Sequence, residues 1–129
     1  MRENMGLYRG KEKPNGEWVE GFLVDAQHIG NWVEANPVDP ETVGQFTGLT
    51  DIGGKRIFEG DILKTAVTGI APKTGAVLYQ DGAFGLRCTD GAALFLCFVS
   101  GSCTVIGNIH DNPELLTKNA AIDSPLDKP

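Results

Sequence analysis

Gln45-Phe46-Thr47-Gly48-Leu49-Thr50-Asp51-Ile52-Gly53-Gly54-Lys55-Arg56-Ile57-Phe58-Glu59-Gly60-Asp61-Ile62-Leu63-Lys64 packs two turn signals between three short apolar segments. Segments this short, separated by Gly and Asp, spell antiparallel strands and not helices. Thr50-Asp51-Ile52-Gly53-Gly54 reads as a turn, 55–58 as a strand, Glu59-Gly60-Asp61 as a bend and 62–67 as a further strand. Gly60 suits a backbone conformation that a Cβ would crowd. Asp61 is expected to hold the bend by accepting hydrogen bonds from N–H groups just downstream.

Downstream, Asp81-Gly82 suits a two-residue type I′ hairpin loop. Counting outward pairs Tyr79 with Phe84, Val77 with Leu86 and Gly75 with Cys88. That register puts Val77, Tyr79, Phe84, Leu86 and Cys88 on one face and mostly small or polar residues on the other; a one-residue slip would destroy the split. Asp90-Gly91 reverses the chain into 94–99, Leu-Phe-Leu-Cys-Phe-Val, which is apolar on both faces and predicts a central strand. Gly101-Ser102 turns again, into a strand over 103–109. A meander is thus expected over about residues 75–109, closing into a small barrel that hides its edges. Asp111-Asn112-Pro113-Glu114 then starts a short helix whose Leu115 and Leu116 pack back on the sheet. Residues 117–129 read as a tail.

Upstream, Lys13-Pro14-Asn15-Gly16 signals a hairpin, and 17–25 a strand in which Gly21 marks a bulge or a close backbone approach. Residues 26–42 are interrupted by Asn36-Pro37 and Asp39-Pro40 and read as a long connection. One helical turn is expected there, with Asp39 as N-cap and Pro40 in its first position. The organisation is therefore a hairpin and connection over 1–42, part of the same unit as a β core over 43–116, and the tail.

The 129 residues suffice for one domain, and 41% apolar content for a real core. Seventeen glycines and seven prolines favour short strands over long helices. The net charge of −6 argues against an undirected nucleic-acid binder. No secretory signal or membrane-length apolar run is present. Three cysteines, an odd number, suit reduced thiols, so a cytoplasmic protein is expected.

The 45–64 stretch resembles the signature of the YopX family of small phage- and prophage-encoded proteins. So does Val105-Ile106-Gly107-Asn108-Ile109-His110-Asp111-Asn112-Pro113-Glu114-Leu115-Leu116. Matching positions include Gln45, Thr47, Gly48, Leu49, Asp51, Gly54, Lys55, Ile57, Glu59, Gly60, Asp61, Ile62 and Lys64, whereas Phe46 and Phe58 stand where tyrosine is common. The resemblance implies a mainly β fold with an SH3-like barrel and a phage or prophage setting, and brings no list of catalytic residues.

No residue set spells a reaction. Glu59 and Asp61 flank a glycine, but a hard cation needs more oxygens than two carboxylates supply, and turn chemistry explains them. His28 and His110 lack zinc-ligand spacing. Cys88, Cys97 and Cys103 read as strand thiols without a base. No nucleophile elbow, P-loop or dinucleotide fingerprint occurs, and Gly48, Gly53 and Gly54 open no helix. Neither catalytic residues nor a metal or cofactor set is expected. Thr47, Gly48, Gly54, Glu59, Gly60, Asp61, Gly107, Asn108 and Pro113 are read as structural motif residues. Trp18 is read as core, and Trp32, in the irregular connection, as the candidate partner contact.

The expectation is a non-enzymatic module that binds protein, itself or another, with 94–99 suited to an interface if the barrel does not cover it. A nucleic-acid-associated barrel is the alternative. It would need Arg2, Arg9, Lys11, Lys13, Lys55, Arg56, Lys64 and Lys73 to converge. An enzyme is the least favoured reading.

Overall fold

The structure is a computed structural model that describes residues 6–25, 27–30, 35–69 and 71–117. It is mainly β, with antiparallel pairing along both sheets. It comprises two compact units, one ending at Gly48 and the other beginning at Leu49.

In the first unit, strands β1 (Leu7–Lys11), β2 (Trp18–Asp25), β3 (His28–Gly30), β4 (Ala35–Pro37) and β5 (Gly44–Thr50, which runs on into the second unit) lie in the order β4-β3-β2-β1-β5. The β1–β2 loop forms around Pro14, Asn15 and Gly16, as its composition predicts. Gly16 takes φ +71°, its N–H donates to the Glu12 carbonyl, and Asn15 Oδ1 accepts from the Glu17 N–H at 2.9 Å. A Cβ on Gly21 would lie 3.1 Å from the Gly30 carbonyl oxygen; this is the close approach expected there. The connection over 26–42 holds more order than its prolines suggest, because β3 and β4 lie within it. Pro37 is tolerated because β4 is the terminal strand, where a missing N–H costs no ladder bond. The helical turn forms where expected, as a 3-10 turn over Pro40–Thr42 with Asp39 capping the Glu41 N–H. Ile29 and Val38 are fully buried, and both reach Gly10, where a Cβ would come within 3.2 Å of each.

In the second unit, β6 (Arg56–Phe58), the hydrogen-bonded neighbour of β5, follows the Asp51 turn. Strands β7 (Asp61–Thr65), β8 (Thr74–Gln80), β9 (Ala83–Cys88), β10 (Ala93–Phe95) and β11 (Cys103–Asn108) form a half-barrel sheet in the order β10-β9-β8-β7-β11. The β8–β9 register is the predicted one, with Tyr79 opposite Phe84, Val77 opposite Leu86 and Gly75 opposite Cys88. Asp81 and Gly82 take φ +54° and +84°, as a type I′ loop requires. Gly75 admits no side chain: a Cβ would stand 2.6 Å from the Arg87 carbonyl oxygen. Ile57, Leu63, Val77, Leu86, Cys88, Leu96, Val99 and Cys103 form one buried cluster.

Two expectations for this unit are corrected. Residues 94–99 are not a central strand. They end the edge strand β10 and continue as one helical turn, α1 (Leu96–Val99). The apolar run is equally compatible with helix, since Leu96 and Val99, three apart, share the buried side while Cys97 and Phe98 face outward. Nor does β11 extend the meander beside β10; α1 and a 3-10 turn (Ser100–Ser102) carry the chain to the opposite edge, where β11 pairs with β7. The C-terminal helix begins at Glu114 and is described over 114–117. Leu115 packs back over Gly107, where a Cβ would come within 2.8 Å of its Cδ1.

Candidate functional site

The ends of the second unit's sheet frame its chemistry. On β11, the Ala66 N–H donates to the Ser102 carbonyl. The alternation of an antiparallel ladder therefore turns the Cys103 carbonyl and the Val105 N–H away from β7. Both find partners in the Asp51 turn. The Ile52 N–H donates to the Cys103 carbonyl at 3.0 Å, and the Val105 N–H donates to Asp51 Oδ2 at 3.0 Å. Asp51 Oδ1 accepts from the Gly53 and Lys55 N–H groups, each at 2.9 Å. Burial pushes this carboxyl up, but the N–H groups of Val105, Lys55 and Gly53 and the Lys55 charge outweigh it, holding Asp51 below its ordinary value of 3.8. The glycine turn that could have cradled a phosphate is filled by the chain's own carboxylate.

The second bend knits the two signature stretches together. Gly60 takes φ +95°; its N–H donates to the Val77 carbonyl and its carbonyl accepts from the Ile109 N–H, both at 2.9 Å. Asp61 is 1% exposed and accepts from the Phe58 N–H at 2.7 Å. It holds the bend as expected, but from the upstream side, since Phe58 precedes it. Asp61 lies opposite Asn108 in the β7–β11 ladder, and the ladder shifts register between Val105 and Gly107. Asn108 Oδ1 accepts from the His110 and Asp111 N–H groups, each at 2.9 Å, and Asn112 Oδ1 accepts from the Asn108 N–H. The Leu116 N–H donates to the Pro113 carbonyl, opening the last turn.

Of the motif residues, Gly60, Asp61, Gly107 and Asn108 thus meet around one bulged strand pair. Gly54 takes φ +88° beside Asp51, and Gly48 φ +86° in β5, which also carries Thr47. Glu59 is half-buried in the bend. Among the described residues no group of three metal-ligating side chains gathers. His28 pairs with Asp25 at 2.8 Å, and the His28 hydrogen bond, foremost, holds Asp25 low. His110 Nε2 would lie 3.8 Å from a Gly60 Cβ. Arg9 is buried with its guanidinium 4.6 Å from the Trp18 ring centre. Trp32, the candidate partner contact, Arg2, and residues 118–129 of the tail lie outside the described residues.

Similarity to known proteins adds to this. The YopX protein family matches residues 7–117. The chain belongs to the YopX family. A solved structure, the crystal structure of protein EF1440 from Enterococcus faecalis, is similar to this YopX-family chain at 27% identity, with a TM-score of 0.54, across 84% of this chain and 96% of that one. No curated protein matches.

The sheet's other end is built differently. The Cys88 N–H donates to the Ala92 carbonyl, so the ladder turns the backbone groups of Ala93 and Phe95 outward. β10 is terminal in the strand order, and no loop–edge hydrogen bond reaches it among the described residues. Phe95 is 60% and Phe98 78% exposed, their rings edge to face at 5.9 Å. Beside them runs a groove of about 300 Å³. On this outer face Gly85 sits between Leu78 and Phe95, and Arg87 donates across the glycine to Gln80 Oε1 at 3.1 Å. Residues 94–99, expected as a two-faced apolar strand, instead end β10 and form α1, with Phe95 and Phe98 exposed. The available signal was charge: Gly91 through Ile109 contain no Asp, Glu, Lys or Arg.

No helix among the described residues is long and apolar enough to cross a membrane.

Proposed function

We propose that this YopX-family chain acts by binding protein, a copy of itself or another chain, and not by catalysis. We place it in a phage or prophage setting within the bacterial cytoplasm. The half-barrel sheet serves as an SH3-like scaffold in this reading. The observation that carries it is the β10–α1 surface: two phenylalanines more than half exposed, beside an edge strand with no charge of its own. Large exposed aromatics of this kind mark interaction surfaces, and an uncharged edge invites added strands. The family resemblance supports the phage setting. Nucleic acid is the weaker partner, because the net charge of −6 repels a phosphate backbone and Lys73 is held by Asp90.

Photo-cross-linking in bacterial cells expressing the chain with a photoreactive amino acid placed in turn along residues 91–102, read by mass spectrometry, tests the proposal. Cross-links to protein should form from these positions, whether to a second copy or to a host or phage protein. Their absence there, in cells where the folded chain accumulates, overturns it.

A further inference from the structure

We propose that β10 is a self-pairing strand, at which two copies join antiparallel about a two-fold axis through Leu94. The inference rests on the protein-binding reading and names the partner. Its first support is backbone geometry. A two-fold pairing centred on Leu94 sets Ala93 opposite Phe95 of the second copy, and Phe95 opposite the other Ala93. These are the residues whose backbone groups the ladder turns outward, so each cross-pair can exchange hydrogen bonds in both directions. Leu94, whose groups face β9, falls at the axis, where no bond is needed.

The second support is shape. Each cross-pair sets a phenylalanine against an alanine on the outer sheet face. There Ala93 lies opposite Arg87, whose guanidinium reaches across Gly85 to Gln80 and leaves the small, exposed alanine open to the incoming ring.

The third support is charge. A chain of net charge −6 repels its own copy, and the uncharged Gly91–Ile109 stretch is where two copies can approach with the least opposition. β11, also drawn from that stretch, is covered by the Asp51 turn, which leaves β10 as the accessible edge. Phe95 and Phe98, 60% and 78% exposed, offer roughly 400–700 Å² of aromatic surface from the two copies, below the about 1,000 Å² of a strong specific interface. A dimer of micromolar affinity, tightened by added salt that screens the net charges, is therefore expected.

Sedimentation equilibrium on the full chain, from about 5 to 500 μM, provides the test. The wild type should form a dimer that salt strengthens, and Phe95→Lys should raise the dissociation constant at least about tenfold with an unchanged circular dichroism spectrum. Register is tested by mixing Ala93→Cys/Cys97→Ser with Phe95→Cys/Cys97→Ser. A disulfide should form between the two variants and not within either alone, because directly opposed residues bring Cα atoms to bonding distance. A wild type that stays monomeric throughout, a dimer indifferent to Phe95→Lys, or disulfides within either variant alone overturns the inference. A monomer that still cross-links to another protein near residues 91–102 leaves the binding function standing; a monomer with no such cross-links removes both.

Discussion

Strands β10 and β11 end the same five-stranded sheet and come from the same uncharged stretch, yet only one of them is finished. β11 has its outward carbonyl and N–H answered by the Asp51 turn, two hydrogen bonds that cost the chain a buried carboxylate. β10 ends in exposed aromatics with its outward backbone groups facing solvent. Edges are normally blunted by charge, proline or cover. A sheet that blocks one edge and leaves the other bare directs strand addition to a single place. The family's first signature stretch, seen this way, closes one edge and thereby defines the other.

The comparison breaks most severely at Asp51. Asp51→Ala removes the acceptor of the Val105, Gly53 and Lys55 N–H groups; Gly53 and Lys55 are exposed and can turn to water, so a loss of about 1–3 kcal/mol in urea unfolding is expected, most of it from Val105. Hydrogen exchange should sharpen the picture. In the wild type at low concentration the Val105 amide exchanges far more slowly than those of Ala93 and Phe95, and Asp51→Ala narrows the gap.

A pH series isolates the charge of the same residue. Because the folded carboxyl lies below its ordinary 3.8, its stabilisation is complete above that value and is lost as pH falls through the lowered one. Asp51→Asn should therefore flatten the acid side of the stability profile measured in urea below about pH 4.

Gly60→Ala is expected to cost about 1–2 kcal/mol, since it forces a Cβ into φ +95° at the bend that meets Ile109. A denaturation midpoint that does not move would remove the bend from the account of how the two signature stretches are joined.

The thiols give a milder contrast. Cys97 on α1 is exposed, whereas Cys103 on β11 is buried and pushed up to about 11 by burial and, second, by the Asp51 charge. Native-state thiol titration should find Cys97 reacting first and Cys103 only on unfolding. The smallest stability effect belongs to Phe95→Lys, expected to shift unfolding by less than about 1 kcal/mol because the side chain is more than half exposed and its ring partner Phe98 is more exposed still. That near-silence is what makes it a clean probe of β10.

Local chemistry explains how much could be read in advance. The β8–β9 hairpin was legible to the residue because its loop type and its split of faces depend on neighbours a few positions apart. The 3-10 turn at Pro40 was legible for the same reason. The 94–99 run was misread because a fully apolar run carries no period, and only the packing of Leu96 and Val99 into the core selects helix. β3 and β4 were hidden because three-residue strands draw their order from the strands beside them. At the candidate site, Asp61 drew attention through its place after Gly60. Asp51 ties down β11, and its bond to Val105 spans 54 residues, a distance over which spacing carries no signal.

The sequence alone determined a mainly β chain, its hairpin register, its glycine-hinged bends and the charge-free stretch over residues 91–109, since each follows from backbone sterics or composition within a short window. Only the tertiary structure decided which strands end the sheet, and which of those ends is closed. That choice lies in contacts between residues far apart in the chain, where one carboxylate meets one strand and, among the described residues, no counterpart meets the other.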